Sequence, residues 1–317
     1  MRQCASGLCA INNAVMSIMT GEHDCVIAGG AESMSGAVFY LRGARYGLGT
    51  GNATLVDSLT EGQFRSQPQE IYGTFNMGLT AENVAERLRI SREDQDAFAY
   101  ESQVRAHRAI AEGRFRDEIV PVVIPQRKGE PIVFDTDEYP RETSPEKLAK
   151  LKPAFRKEGG TVTAGNASGR NDGASAVLVM SAEKAAALGL KPMARFVSHA
   201  TAGVDPRVMG LGPVPAVKKA LEKADMTLDE IGLIELNEAF AAQSLGCIRE
   251  LGLEGRMDII NVNGGAIALG HPVGSSGCRI VVTLIHEMRK RGVKYGLASL
   301  CIAGGMGTAD ILELVED

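Results

Sequence analysis

Apolar residues recur at helical spacing from the start of the chain. Leu8, Ile11, Val15, Ile18 and Met19 fall on one face of a helix over 4–20, which Gly21 stops. The run 24–30 is short and apolar, the pattern of a buried strand. Residues 33–70 are glycine-rich and irregular, and a helix resumes over 78–88. Ser91-Arg-Glu-Asp94 reads as a capping box opening a helix that runs to Gly113. Pro121 and Pro125 mark 117–125 as an edge strand, because proline cannot donate to a ladder. The charged stretch 128–145 reads as surface, 146–151 as a short helix, 161–170 as a polar glycine loop and 174–180 as a strand.

The last third alternates regularly. Strands are expected at 194–199, 231–236, 257–263, 297–302 and 309–314, and helices at 215–223, 239–251 and 278–290, with a glycine loop over 264–277. Continuous apolar strands joined by helices predict an α/β fold with a parallel sheet buried on both faces. This region also echoes the start of the chain. Ser6-Gly7, helix, glycine turn and strand ending Ile27-Ala-Gly-Gly30 return as Ser276-Gly277, helix, turn and strand ending Ile302-Ala-Gly-Gly305. If these are two homologous halves, the second has three strands and two helices between Lys191 and Gly277, whereas the first has six residues before Gly7. The duplication therefore predicts that roughly 80–90 residues are absent ahead of the first half.

Composition narrows the class. The 317 residues are 44% hydrophobic and 23% charged, with 37 glycines, 6 cysteines and no tryptophan, which supports a large core and excludes general disorder. A net charge of −5 argues against wrapping nucleic acid or binding an anionic membrane. No apolar run reaches the ~18 residues of a bilayer span, and residues 1–20 lack a signal-peptide pattern. Cys4, Cys9, Cys25, Cys247, Cys278 and Cys301 have no zinc-knuckle spacing, and the five histidines are scattered, so neither a metal site nor a disulfide framework is expected. A reducing, cytoplasmic setting fits best.

Several residues bear chemistry. Cys4 is expected at a helix start, where unpaired N–H groups favour a thiolate; its bland alternative is a small buried hydrophobe. His271 lies in a glycine-rich loop between strand and helix rather than within an apolar element. Cys301 ends a strand and opens IAGGMG, whose successive N–H groups suit an oxyanion. Asn237 follows the strand IGLIEL, where open α/β sheets place their sites; it would orient water or cap the next helix. If these loops converge, one thiol attacks a carbonyl, the histidine takes its proton, and the second thiol moves a proton at another carbon.

The motifs CASG (4–7), AGGAESMS (28–35), MGLTAEN (77–83), TAGNASG (163–169), NEAFAAQ (237–243), GGAIALGHPVGSSG (264–277) and CIAGGMG (301–307) span essentially the whole chain. Together they resemble the thiolases, most closely the short-chain acetyl-CoA acetyltransferase group. The resemblance implies a duplicated, layered α-β-α-β-α fold with a loop domain inserted in the first half, and it normally includes about 85 residues ahead of the nucleophile. It divides the chain into 1–35, a remnant of the first half; 36–160, the inserted loop domain with final first-half elements near its boundaries; 161–190, the last strand region and linker; and 191–317, the second half.

By resemblance, Cys4 carries the acyl group, His271 activates it, and Cys301 is the acid/base at the second substrate. Asn237 fixes a water that forms one oxyanion hole with His271, while the backbone N–H groups of Cys4 and Ala303 form the other. Ser168 lies along the pantetheine arm of coenzyme A, Arg141 near its nucleotide end, and Met209 on the acyl-pocket wall. No tightly bound cofactor is implied: acetyl-CoA, acetoacetyl-CoA and CoA are substrates, and the assembly is a homodimer or homotetramer. Two departures stand out. Ala303 replaces a usual glycine, and Asn76 replaces the histidine common in biosynthetic members, at a position expected to face the coenzyme A site. The rivals are a broader-chain degradative 3-ketoacyl-CoA thiolase and an inactive, truncated remnant that only binds coenzyme A.

Overall fold

The computed structural model describes residues 2–315. A single 3-10 turn, Gln3–Ala5, runs into α1 (Ser6–Met19) and then β1 (Cys25–Glu32). The excursion that follows holds β2 (Phe39–Leu41), β3 (Leu55–Asp57), α2 (Ser58–Phe64) and α3 (Gln69–Tyr72). After it come α4 (Met77–Leu88), α5 (Arg92–Ala111), β4 (Val122–Ile124), β5 (Ile132–Phe134) and α6 (Pro145–Ala149). The first half closes with β6 (Gly173–Met180) and α7 (Ala182–Ala187). The second comprises β7 (Ala194–Gly203), α8 (Pro213–Ala224), β8 (Leu233–Leu236), α9 (Ala241–Glu250), α10 (Ala266–Leu269), α11 (Ser276–Arg291), β9 (Tyr295–Ile302) and β10 (Met306–Leu314).

The expected parallel sheet is not what forms. The larger sheet has the order β7-β10-β9-β8, with β10 antiparallel to both neighbours and only β8 and β9 parallel. The reason lies at the β9–β10 junction. Gly304 and Gly305 both take left-handed φ, 89° and 88°, so the strands turn back as a hairpin rather than crossing over through a helix. β1 and β6 pair antiparallel in a separate sheet.

The strand expected at 257–263 is also absent. Residues Glu254–Ile259 form 3-10 turns, and Ile260 makes one isolated bridge to Ile234. Asn261 takes a left-handed φ of 44°, and its side-chain amide does what a neighbouring strand would do. Its Oδ1 accepts from Leu236 N–H and its Nδ2 donates to Leu236 C=O, both at 2.8 Å. Asparagine is one of the few residues that tolerates this conformation and can supply both bonds. Elsewhere the differences are smaller. The edge strand at 117–125 shrinks to β4 and pairs with β5, an exposed strand within the charged stretch 128–145, and α10 occupies part of the 264–277 loop.

Two cores lie on opposite faces of the four-stranded sheet. Val217, Leu221 and Ile248 of α8 and α9 cover one face, against Ile234, Leu236, Leu297 and Ile311. On the other, Leu8, Ile11 and Val15 of α1 meet Ile280, Val281 and Leu284 of α11, with Leu233, Leu300 and Ala28 above and below. α1 and α11 thus form a central helical layer between the two sheets. Their crossing explains the repeated Ser-Gly pair: a Cβ on Gly7 would lie 2.6 Å from Cys278 N, and one on Gly277 would meet Leu8 N. Each glycine lets the other helix's backbone approach, which brings both helix starts, and the loops before them, to one place.

Candidate active site

Cys4 lies in the turn immediately before α1, and that turn is held tightly. Gln3 takes a left-handed φ of 47°, uncommon for a residue with a side chain. Ser6 Oγ accepts from Arg2 N–H at 2.8 Å and donates to Gln3 C=O at 2.7 Å, fixing the bend. The sequence-based expectation of a thiolate at this helix start is corrected. Burial pushes the Cys4 thiol up to about 11, against the opposing pull of its own N–H and that of Ala303, which both reach its sulfur. Desolvation outweighs two partial positive charges, so the resting group is a thiol that needs a base.

Cys301, fully buried at the end of β9, is pushed well above the ordinary thiol range by burial and then by the neighbouring sulfur of Cys4. The structure therefore brings the two cysteines together, with Ala303 N–H beside the first. Met209 and Phe240 share a buried cluster with Cys301.

His271 is 5% exposed. Its backbone N–H donates to Asn171 Oδ1 at 3.1 Å, and its Nδ1 lies 2.6 Å from Ser276 Oγ. The Ser276 hydroxyl donates to Pro272 C=O at 2.9 Å, so Nδ1 carries the ring proton toward Ser276. That leaves Nε2 with a free lone pair and no protein partner. Burial, reinforced by the Arg279 cation, pushes the imidazole down to about 4, so it is neutral at pH 7. Ser276 and Asn171 escaped the sequence reading. The only signal was a hydroxyl five residues after the histidine, at the start of the next helix.

Asn237 sits just past β8, 1% exposed, with its N–H donating to Ser299 C=O at 3.0 Å. Both its amide atoms are buried without a partner. The helix-cap alternative is removed, because α9 begins after Phe240 and Gln243 Oε1 takes Ala239 N–H instead. A buried carboxamide with both ends vacant is the setting for an ordered water or a ligand oxygen.

The residues expected along coenzyme A divide. Arg141 is exposed, its guanidinium 4.6 Å from the Tyr139 ring centre and donating to the Tyr139 hydroxyl at 2.7 Å. Tyr139 in turn packs on Gly169, next to half-buried Ser168, so Arg141 and Ser168 lie along one continuous surface. Ser168 is anchored by its N–H to Ala239 C=O at 3.0 Å, which ties this loop to the one carrying Asn237. Asn76 acts locally, its Oδ1 accepting from Leu79 N–H at 3.0 Å to cap α4. Among the described residues no helix is long and apolar enough to cross a membrane.

Comparison with known proteins gives the family. The pattern of the thiolase N-terminal domain matches residues 1–183, and that of the thiolase C-terminal domain residues 190–314. An acetyl-CoA acetyltransferase of Syntrophomonas wolfei is 57% identical over 98% of this chain and 77% of its own length; one from Pseudomonas aeruginosa is 57% identical over 99% and 78%. Among solved structures, a Bacillus anthracis acetyl-CoA acetyltransferase is similar at a TM-score of 0.93 and 47% identity, covering 99% of this chain and 78% of that one. A human mitochondrial 3-ketoacyl-CoA thiolase matches at 0.93 and 44% over the same shares. These matches take in nearly all of this chain and 77–78% of the relatives' own length. On both domain patterns and on relatives above half identity, the chain belongs to the thiolase family.

Proposed function

We propose that the protein is an acetyl-CoA C-acetyltransferase, joining two acetyl-CoA into acetoacetyl-CoA and CoA, or running the reverse thiolysis. The observation that carries this reading is the thiol pair, half-buried Cys4 beside buried Cys301, with two backbone N–H groups reaching the Cys4 sulfur; His271 Nε2 and both amide atoms of Asn237 are, in addition, buried and unused. A second thiol close to the first can handle the proton at a second carbon, which a carbon–carbon bond-forming acyl transfer uses and a simple hydrolase does not need.

In the first half-reaction His271 Nε2 takes the Cys4 proton as sulfur attacks the acetyl carbonyl. The N–H groups of Cys4 and Ala303 hold the resulting oxyanion. The bond to coenzyme A sulfur breaks, and Cys301 gives the leaving thiolate its proton. Cys301 is then a thiolate beside a charged His271. A buried thiol raised this far is a poor acid at rest and a strong base once deprotonated, which suits removal of a proton from the methyl group of a second acetyl-CoA. His271 and a water on Asn237 stabilise the enolate oxygen. The carbanion attacks the Cys4 thioester, and the departing Cys4 sulfur recovers its proton from His271. Ser168 and Arg141 offer the surface along which the coenzyme A arm lies.

A broader-chain degradative 3-ketoacyl-CoA thiolase is the second reading, favoured by one observation: Asn76 caps α4 where biosynthetic members commonly carry histidine. Steady-state thiolysis over a chain-length series decides. Parallel double-reciprocal plots with acetoacetyl-CoA preferred support the first reading; equal or better turnover of long acyl chains supports the second.

A further inference from the structure

Four vacant polar atoms cluster on one face of α11 and belong to none of the groups assigned a chemical step. Arg279 Nη1 and Nη2 are buried without a hydrogen-bond partner, and so are Glu235 Oε1 and Glu118 Oε2. Arg279 Nη1 lies 3.6 Å from Glu235 Oε2, on a carboxyl group that is 1% exposed. A buried pair of this kind adds little net stability of its own, whereas removing one partner strands the other.

Its position indicates what it holds. Side chains alternate along a strand, so Glu235 and Asn237 point to the same side of β8 and its extension, the side on which Leu233 meets α11. Residues three apart share a helix face, so Arg279 stands beside Ser276, whose hydroxyl orients His271. The pair therefore joins the end of the strand that presents Asn237 to the start of the helix that presents His271. We propose that Arg279 and Glu235 are positioning residues that set the separation of the Asn237 amide from His271 Nε2, and with it the geometry of the enolate-binding site. This rests on the acyl-transfer reading above.

The charges facing Arg279 are known from every side. Glu235 and Glu238 come from β8 and its extension and Glu118 and Asp137 from the inserted region, while Glu287 of α11 acts on Glu235 and Glu118. Burial pushes Glu118 up to about 7 and Glu235 up to about 8, so the carboxyl ring neutralises Arg279 incompletely and its charge reaches His271. Two effects follow from one residue. Losing the brace displaces the water site, and losing the cation raises the histidine pKa.

The test compares Arg279→Lys, Arg279→Met and Glu235→Gln with wild type for steady-state thiolysis, pH profile and the amplitude of Cys4 acetylation. A displacement of about 1 Å at a reacting centre lowers rate about 100-fold, so Arg279→Met is expected to lose about that in kcat with KM within about threefold. Its acetylation amplitude should be retained, and the acid limb of its pH profile should move to higher pH, because neutral His271 then requires higher pH. Arg279→Lys, which keeps the charge, should restore the limb and part of kcat. Glu235→Gln keeps the shape and should lower kcat without raising the limb. Unchanged kcat in both Arg279→Met and Glu235→Gln overturns the proposal. So does a parallel fall of acetylation amplitude and kcat with an unmoved limb, which is the signature of misfolding alone. Wild type that neither acetylates nor turns over overturns the acyl-transfer reading instead, and this proposal with it.

Discussion

Asp310→Asn should stabilise the protein, and increasingly so as pH rises. Asp310 is 0% exposed on β10 and faces Asn12, 5% exposed, on α1. Asn12 Nδ2 donates to Asp310 Oδ1 at 3.0 Å, while Asp310 Oδ2 and Asn12 Oδ1 are buried without partners. A single proton on Oδ2 satisfies both vacancies, giving a two-bond ring between carboxylic acid and amide. Burial pushes Asp310 well above the ordinary carboxyl range, with the Asn12 bond opposing, so the folded state keeps that proton.

The sign follows from linkage. An acid whose folded pKa is raised contributes stability that is complete below the unfolded value of about 3.9 and is lost as pH rises toward the folded value. The slope is about 1.4 kcal/mol per pH unit, and two units in which folded Asp310 stays protonated are worth about 2.7 kcal/mol. Asparagine closes the same ring with amide donors and has no proton to lose. Urea denaturation of both proteins at pH 5, 6 and 7 reads the difference directly, and every other titrating group cancels. An advantage for Asp310→Asn that grows with pH is the expected result. A difference that stays constant across pH would falsify the neutral-acid assignment.

Three further outcomes are expected. Gly7→Ala places a Cβ 2.6 Å from Cys278 N, where backbone cannot yield, so overpacking should destabilise by about 1–3 kcal/mol or more in thermal melts, while Asn13→Gly on the exposed face of the same helix should lose less than about 1 kcal/mol. Ser276→Ala removes the acceptor that fixes the His271 tautomer; kcat should fall about 10- to 100-fold with little change in thermal midpoint, and an unaltered kcat would remove Ser276 from the site. With Cys4 pushed up to about 11, alkylation by iodoacetamide in the free enzyme should be slow at pH 7 and climb toward pH 11, and fast alkylation at pH 7 would contradict the resting thiol.

Local periodicity carried the helices and the apolar strands, since both depend on residues close in sequence. It did not carry strand direction, which two left-handed glycines, Gly304 and Gly305, decide by turning β9 back on itself. Nor did it separate a strand at 257–263 from one asparagine whose side chain copies a strand's bonds, because Met257, Ile259, Ile260 and Val262 are apolar in either case. Cys4, Asn237, His271 and Cys301 stand out in the sequence because each lies beside a glycine-containing motif or at a strand end. Ser276, Asn171, Arg279 and Glu235 do not, since their meaning lies in contacts between segments 40 to 100 residues apart or across a helix start. The protonation state of Cys4 was misjudged for a related reason: helix position is local, whereas the burial that outweighs it comes from the whole fold.

The central claim is that Cys4 carries the acyl group. Intact-protein mass measurement after brief exposure to acetyl-CoA, with peptide mapping, tests it most directly. The account predicts one acetyl adduct per chain, located on Cys4, absent from Cys4→Ser and discharged by added CoA. An adduct that persists in Cys4→Ser, or maps to Cys301, contradicts it.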